Sequence, residues 1–180
     1  LFEKHLTEMI GEKKFQKILL INPPDGDKAM FNLQTAKLKR YPNYPPYGLG
    51  IISNQLQKRG YDVEILNLND HLLTKANELE DFDYDSIVFN HLDKIVKTFN
   101  PDLIGLTCMF TMTHKSLKNI TDHLAKEYKI PIAVGGVHIT NSIQSDSTKE
   151  NFINDLSNVD FFFLFESEIA FADFINTINN

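Results

Sequence analysis

The sequence predicts an α/β domain built on a doubly wound, five-stranded parallel sheet, and three observations lead there. Five short apolar runs recur along the 180 residues, rich in the β-branched, aliphatic and aromatic side chains that strands favour. Segments with apolar residues at helical spacing lie between them, the alternation that βαβ units produce. The runs are nearly continuous rather than alternating, as strands are when helices cover both faces of a sheet.

Taken in order, the first run is KILLIN, Lys17–Asn22, stopped by Pro23 and Pro24. A loop of about 20 residues follows, ending in a proline–tyrosine cluster, and such length marks a functional or partly mobile segment. Pro46 suits the first turn of a helix in which Leu49, Ile52 and Leu56 share a face, and Gly60 closes it. Residues 61–66 make the second strand, and the polar, acidic stretch 67–85 reads as an excursion over the surface. Val88, Leu92, Ile95, Val96 and Phe99 recur at helical spacing up to Pro101. Residues 102–107 (DLIGLT) form the third strand, and Leu117, Ile120, Leu124 and Tyr128 stripe the next helix. Residues 131–134 form a short fourth strand that runs into Gly135 and Gly136. A polar stretch, 141–150, leads to a short helix over 151–156 and a fifth strand over 159–164. Ala170, Phe171, Phe174, Ile175 and Ile178 make the last helix amphipathic. Residues 1–16 read as an amphipathic leader and 17–180 as the domain; the missing initiator Met is expected of a segment cut from a longer chain.

Right-handed crossovers between such strands give a Rossmann-like, flavodoxin-like fold with order 2-1-3-4-5. Its ligands bind beyond the strand C-termini, where the order reverses. In this chain that edge carries Pro23 and Pro24, then Thr107, Cys108 and Met109, then Gly135, Gly136, Val137 and His138, and finally Phe165 and Glu166.

Composition narrows the partners. The formal net charge is −6 with scattered basic residues, whereas a nucleic-acid surface needs clustered Lys and Arg. No apolar run approaches the roughly 20 residues that span a bilayer, and no signal-peptide core opens the chain. One cysteine excludes internal disulfides, so a cytoplasmic, reducing setting is expected.

Several ligand classes fail on their required residues. No P-loop occurs. Gly48-Leu49-Gly50-Ile51-Ile52-Ser53 imitates a dinucleotide fingerprint, but it falls inside a predicted helix, where glycines for close helix–sheet packing are the plainer reading. Asn22 and Thr107 stand where a phospho-receiver needs carboxylates. Cys108 with His114 or His138 forms a possible nucleophile–base pair, against a buried inert thiol. The histidines lack metal-ligand spacing and one cysteine builds no zinc or iron–sulfur site, so no metal ligand is assigned. Gly135 and Gly136 remove side chains where a large ligand can approach the backbone, or make a tight turn.

The segments KILLINPP, YPNYPPYGLGIISNQLQKRGYDVEILNLN, FNPDLIGLTCMFTMTHKSLKNI, IPIAVGGVHIT and VDFFFLFESEIAFADFI, in that order, resemble the cobalamin (B12)-binding domain of B12-dependent radical SAM proteins. The resemblance spans nearly the whole chain, from Lys17 to Ile178, and lies in order and spacing rather than in one motif. It implies a corrin ring over the strand C-termini, bordered by Pro23, Pro24, Tyr47 and Gly48. It further implies a nucleotide tail passing Thr107, Cys108, Met109, Thr111, Gly135, Gly136, Val137 and His138, with Phe165 and Glu166 flanking the ring. The D-x-H-x-x-G motif of mutase-type domains is absent, since no His occurs between His5 and His71. The G-E-G-E-like turn of the relatives is replaced by Phe165-Glu166-Ser167-Glu168.

The resemblance implies a cobalamin-binding module whose catalytic radical SAM domain, with its [4Fe–4S] cluster and S-adenosylmethionine, lies outside this sequence, which lacks a C-x-x-x-C-x-x-C loop. Methyltransferases and cyclases share that plan. Two alternatives stand beside it: a non-catalytic regulatory or interaction domain that kept the fold and lost the cofactor, and a small hydrolase or transferase built on Cys108.

Overall fold

The computed structural model describes residues 14–179. Most of the expected leader therefore lies outside the described residues. Phe15, counted with it, is fully buried, and its backbone N–H donates to Asn179 Oδ1 at 2.8 Å.

Five parallel strands form one sheet: β1 (Lys17–Asn22), β2 (Asp62–Asn67), β3 (Leu103–Thr107), β4 (Ile132–Gly135) and β5 (Phe161–Phe163), in spatial order β2-β1-β3-β4-β5. This is the predicted order, with its reversal between β1 and β3. Helices cover both faces: α1 (Leu33–Lys37), α2 (Tyr47–Gln57), α3 (Leu68–Glu78), α4 (Tyr84–Phe99), α5 (His114–Glu127), α6 (Val137–Gln144), α7 (Lys149–Asp155) and α8 (Glu168–Asn179). Among the described residues no helix is long and apolar enough to cross a membrane.

Three helices depart from the sequence reading. The predicted surface excursion 67–85 contains α3, which buries Leu68, Leu72 and Ala76 at helical spacing. Asn67 caps it, its side chain accepting from the Asp70 N–H. Its interior of Asn, Asp, His and Thr has low helix propensity, and burial of the apolar stripe overrides that. Likewise α6 begins before the predicted polar stretch and buries Ile139 and Thr140. The long loop after β1 contains α1 and is held by rings: Phe31 stacks on Tyr41 at 5.5 Å and on Phe82 at 5.2 Å. Contrary to the fingerprint's packing reading, Gly48 and Gly50 lie within α2 with no atom inside 4 Å of an added Cβ.

The sheet has two unlike faces. On one, Leu19, Ile21, Ile104, Leu106, Ile132 and Val134 pack against α4, α5 and α6 in the larger core. On the other, Ile18, Leu20, Leu103 and Ala133 meet α2 and α8 through Leu49, Leu56, Phe171 and Ile175.

Candidate functional site

On that second face the strands run out of side-chain volume toward their C-terminal ends. The pairing register aligns Leu20, Gly105, Ala133 and Phe161 in one row, and Thr107, Gly135 and Phe163 in the next. The centre of this floor carries nothing larger than a threonine. Above it is a cavity of about 650 Å³, roofed by Gly48, Leu49 and Ile52 of α2 and by Phe171 of α8. That volume suits a drug-sized organic group, and the wall is largely apolar.

Of the residues singled out in the sequence, Gly48, Thr107, Met109, Gly135, Gly136, Val137, Phe165 and Glu166 line this cavity. Pro23 and Pro24 are buried at the end of β1 and Tyr47 is exposed beside Gly48; none of the three is on the wall. Cys108, Thr111 and His138 are also off it. Residues that the sequence reading passed over complete it, notably Gly105, Ala133, Thr140 and Asn141. A glycine inside DLIGLT was a legible sign, because an interior strand glycine marks close approach of another group.

The two adjacent glycines differ. Gly136 has φ 115° and ψ 171°, a region that is essentially closed to other residues. A Cβ there would lie 2.5 Å from the Cys108 carbonyl oxygen. The chain crosses so closely because the Cys108 N–H donates to Gly135 O at 2.8 Å and the His138 N–H to Cys108 O at 3.1 Å. Gly136 is thus required by the fold itself, so its replacement cannot leave the fold intact while testing a ligand. At Gly135 an added Cβ meets only Phe163, at an ordinary 3.5 Å.

Cys108 belongs to the larger core, and burial pushes its thiol up to about 12. With Sγ turned toward Phe110 O at 3.6 Å, it is the inert alternative and no nucleophile. The histidines proposed to activate it are engaged elsewhere. His138 Nε2 lies 3.3 Å from His114 Nδ1, and His114 Nε2 lies 2.7 Å from Asp155 Oδ2. Thr111 Oγ1 is 3.3 Å from His138 Nδ1. Burial and the neighbouring His114 hold the His138 imidazole below its ordinary value.

Around the mouth, Tyr47, Met109, Val137, Phe165 and Ile169 expose apolar surface. An apolar rim of this kind marks a binding surface. Phe165 has φ 61°, a left-handed conformation that glycine adopts freely and other residues rarely. Its N–H donates to the buried Thr140 hydroxyl at 2.9 Å, which fixes the strained turn. Asp25, in the loop after β1, is half-buried and its carboxyl is raised by desolvation. The same loop is tied down by the Thr113 hydroxyl donating to Asp25 O at 3.1 Å.

The B12 binding domain family matches residues 34–174 of this sequence. The chain belongs to that family. It is 27% identical over 189 residues to cytidylyl-2-hydroxyethylphosphonate methyltransferase of Streptomyces wedmorensis, spanning 97% of this chain and only 31% of that protein. Two solved structures share the fold. A cobalamin-binding protein from Desulfitobacterium hafniense superposes with TM-score 0.52 at 17% identity, over 92% of this B12-binding domain and 60% of that chain. The methanol:cobalamin methyltransferase complex MtaBC from Methanosarcina barkeri gives TM-score 0.52 at 15% identity, over 97% and 52% respectively.

Proposed function

We propose that this B12-binding domain holds cobalamin across the C-terminal edge of its sheet, as the cofactor module of a radical SAM enzyme of methyltransferase or cyclase type. The observation that carries the reading is the cavity over Gly105, Ala133 and Gly135, a floor of small side chains at the edge where this fold binds its ligands. The residues present fit the group: an apolar rim for a broad ring, and an apolar slot for an appended base. Bound cobalamin would supply a cobalt centre that carries a methyl group or exchanges electrons.

The chain's own residues then have separate tasks. Gly48 and Gly135 leave the slot open, Gly105 lets Leu20 and Phe171 close in beside it, and Thr107, Thr140 and Asn141 offer hydrogen-bonding groups on its wall. Tyr47, Met109, Val137 and Phe165, which expose apolar surface, would border the ring and shield it from water. Between Asn22 and Tyr41 there is no histidine to reach a metal, and both ring nitrogens of His138 already have partners. The wall and rim residues would hold the cofactor through apolar contacts and hydrogen bonds, with no imidazole free to serve as a metal ligand there. The methyltransferase relative supports the reaction class, and the order of the five sequence segments supports the radical SAM setting. The iron–sulfur cluster and S-adenosylmethionine belong to a separate catalytic domain.

Titration of the purified domain with hydroxocobalamin tests the first step, with a stoichiometric change in the visible spectrum as the expected result. Electron paramagnetic resonance of the Co(II) form tests the second. Nitrogen splitting that persists with tail-free cobinamide and disappears in His138→Ala would show a protein imidazole on cobalt and overturn the ligation. The alternative of a domain that has lost its cofactor is favoured by one observation, the exposed Phe165 ring at the mouth of the cavity. No spectral change at any ratio of hydroxocobalamin would select it.

A further inference from the structure

Beside the cavity, four polar side chains from four segments form an unbroken line. Thr111 lies in the turn after β3, His138 at the start of α6, His114 at the start of α5 and Asp155 at the end of α7. Their contacts are 3.3, 3.3 and 2.7 Å in that order. Val137, which lines the cavity, precedes His138 directly, and Met109, also on its wall, lies two residues before Thr111.

The donor and acceptor roles follow from one end. A carboxylate only accepts, so His114 Nε2–H donates to Asp155. Neutral His114 then has a lone pair on Nδ1, which accepts from His138 Nε2–H. That leaves a lone pair on His138 Nδ1, which accepts from the Thr111 hydroxyl. Every hydrogen points toward Asp155, and Thr111, at the exposed end, turns its oxygen lone pairs outward. Phe152 packs against both imidazoles at 5.1 and 5.4 Å and holds them in place. The other charged group at this line is Lys118, 3.9 Å from Asp155 Oδ1.

We propose that Thr111, His138, His114 and Asp155 form a proton relay, which withdraws a proton from a ligand carrying a weakly acidic O–H or S–H group at the edge of the sheet. The ligand's proton passes to Thr111 Oγ1 as the hydroxyl proton of Thr111 passes to His138 Nδ1. The His138 Nε2 proton passes to His114 Nδ1 in the same movement. The ligand keeps the electron pair of its broken bond to hydrogen, and the positive charge comes to rest on His114 against Asp155. His114 then passes its Nε2 proton to Asp155, whose side chain is 44% exposed and hands that proton to water, leaving both imidazoles neutral as Nδ1–H tautomers. The reverse sequence delivers a proton to the same place. This activity is independent of cobalamin, so the two readings fail separately.

A thiol placed at the relay's terminus reports its strength without any ligand. In Thr111→Cys, on a Cys108→Ala background, the pH profile of iodoacetamide alkylation should have its midpoint at least about one unit below the ordinary thiol value of about 8.5. Adding His138→Gln should return the midpoint to about 8.5, and adding Asp155→Asn, at the exposed end, should return it partway. A midpoint that is unchanged by both substitutions overturns the relay. Nitrogen-15 spectra of the unaltered protein provide a check that no loss of folding can obscure. Both His114 and His138 should be Nε2–H tautomers at pH 7.5, and an Nδ1–H tautomer at His138 would break the line and the proposal with it.

Discussion

The two faces of this sheet are built from the same strands, and alternate residues of each strand were put to opposite uses. On one face Ile21, Leu106, Val134 and Phe162 align across four strands, and Leu19, Ile104 and Ile132 align below them. These rows fill the space under their helices with large aliphatic groups. On the other face Gly105, Ala133 and Gly135 occupy the matching central positions, and the helices α2 and α8 stand over a cavity of about 650 Å³. Close packing makes a filled layer rigid and a void unfavourable unless something occupies it. The contrast teaches that the ligand face is recognised by missing volume, not by any reactive side chain. Cys108 illustrates the converse: the one thiol of the chain lies on the filled face and is withdrawn from chemistry.

The comparison breaks most readily at Gly136, which belongs to the fold although it lines the cavity. Gly136→Ala should cost about 3 kcal/mol or more in chemical denaturation, through its backbone region and the contact with the Cys108 carbonyl. A loss under about 1 kcal/mol would mean that the crossing relaxes easily. Gly135→Leu is the matching experiment on the ligand face. It should weaken hydroxocobalamin binding at least about 100-fold, close to 2.8 kcal/mol, while the melting temperature moves by only a few degrees. Unchanged affinity with an intact fold would remove the cavity from the ligand path. Phe165→Gly should stabilise the turn by about 1 kcal/mol by relieving the left-handed conformation, and calorimetry would register it.

A smaller effect concerns pH. His71 and His91 stack at 3.7 Å between α3 and α4, and burial lowers both imidazoles, His71 also through His91. Lys75 and Lys94 act in the same direction, while Asp70 and Glu78 oppose it at His71. The folded state then binds fewer protons than the unfolded chain, whose histidines titrate near about 6.5, so stability is lost as pH falls through that value. The melting temperature should drop between pH 7.5 and 5.5, and the drop should shrink in His71→Gln. An undiminished drop would assign it to other groups.

The five strands, their order and the position of the edge were legible because each strand is a compact apolar run bounded by Pro, Gly or Asn. The helix α3 was not, although Leu68, Leu72 and Ala76 have helical spacing, because polar residues of low propensity surround them and only burial against α1, α4 and the sheet makes the helix stable. At the site, Gly135, Gly136, Thr107, Met109 and Phe165 were found through their place at strand ends. Asn141 was not, since it opens the stretch that reads as a polar loop, nor was Thr140, which lies just before it in the same helix.

By itself the sequence determined the alternation of strand and helix, the glycine-marked edge and the family to which the domain belongs. The first two depend on local periodicity and on backbone freedom, which are properties of neighbouring residues, and the family on the order and spacing of segments along the chain. Only the tertiary structure decided which of two adjacent glycines serves the fold, which face of the sheet holds the cavity, and that the His114 and His138 imidazoles meet each other rather than the Cys108 thiol. Those outcomes depend on the register between strands far apart in sequence, where one step moves a side chain from the filled face to the open one.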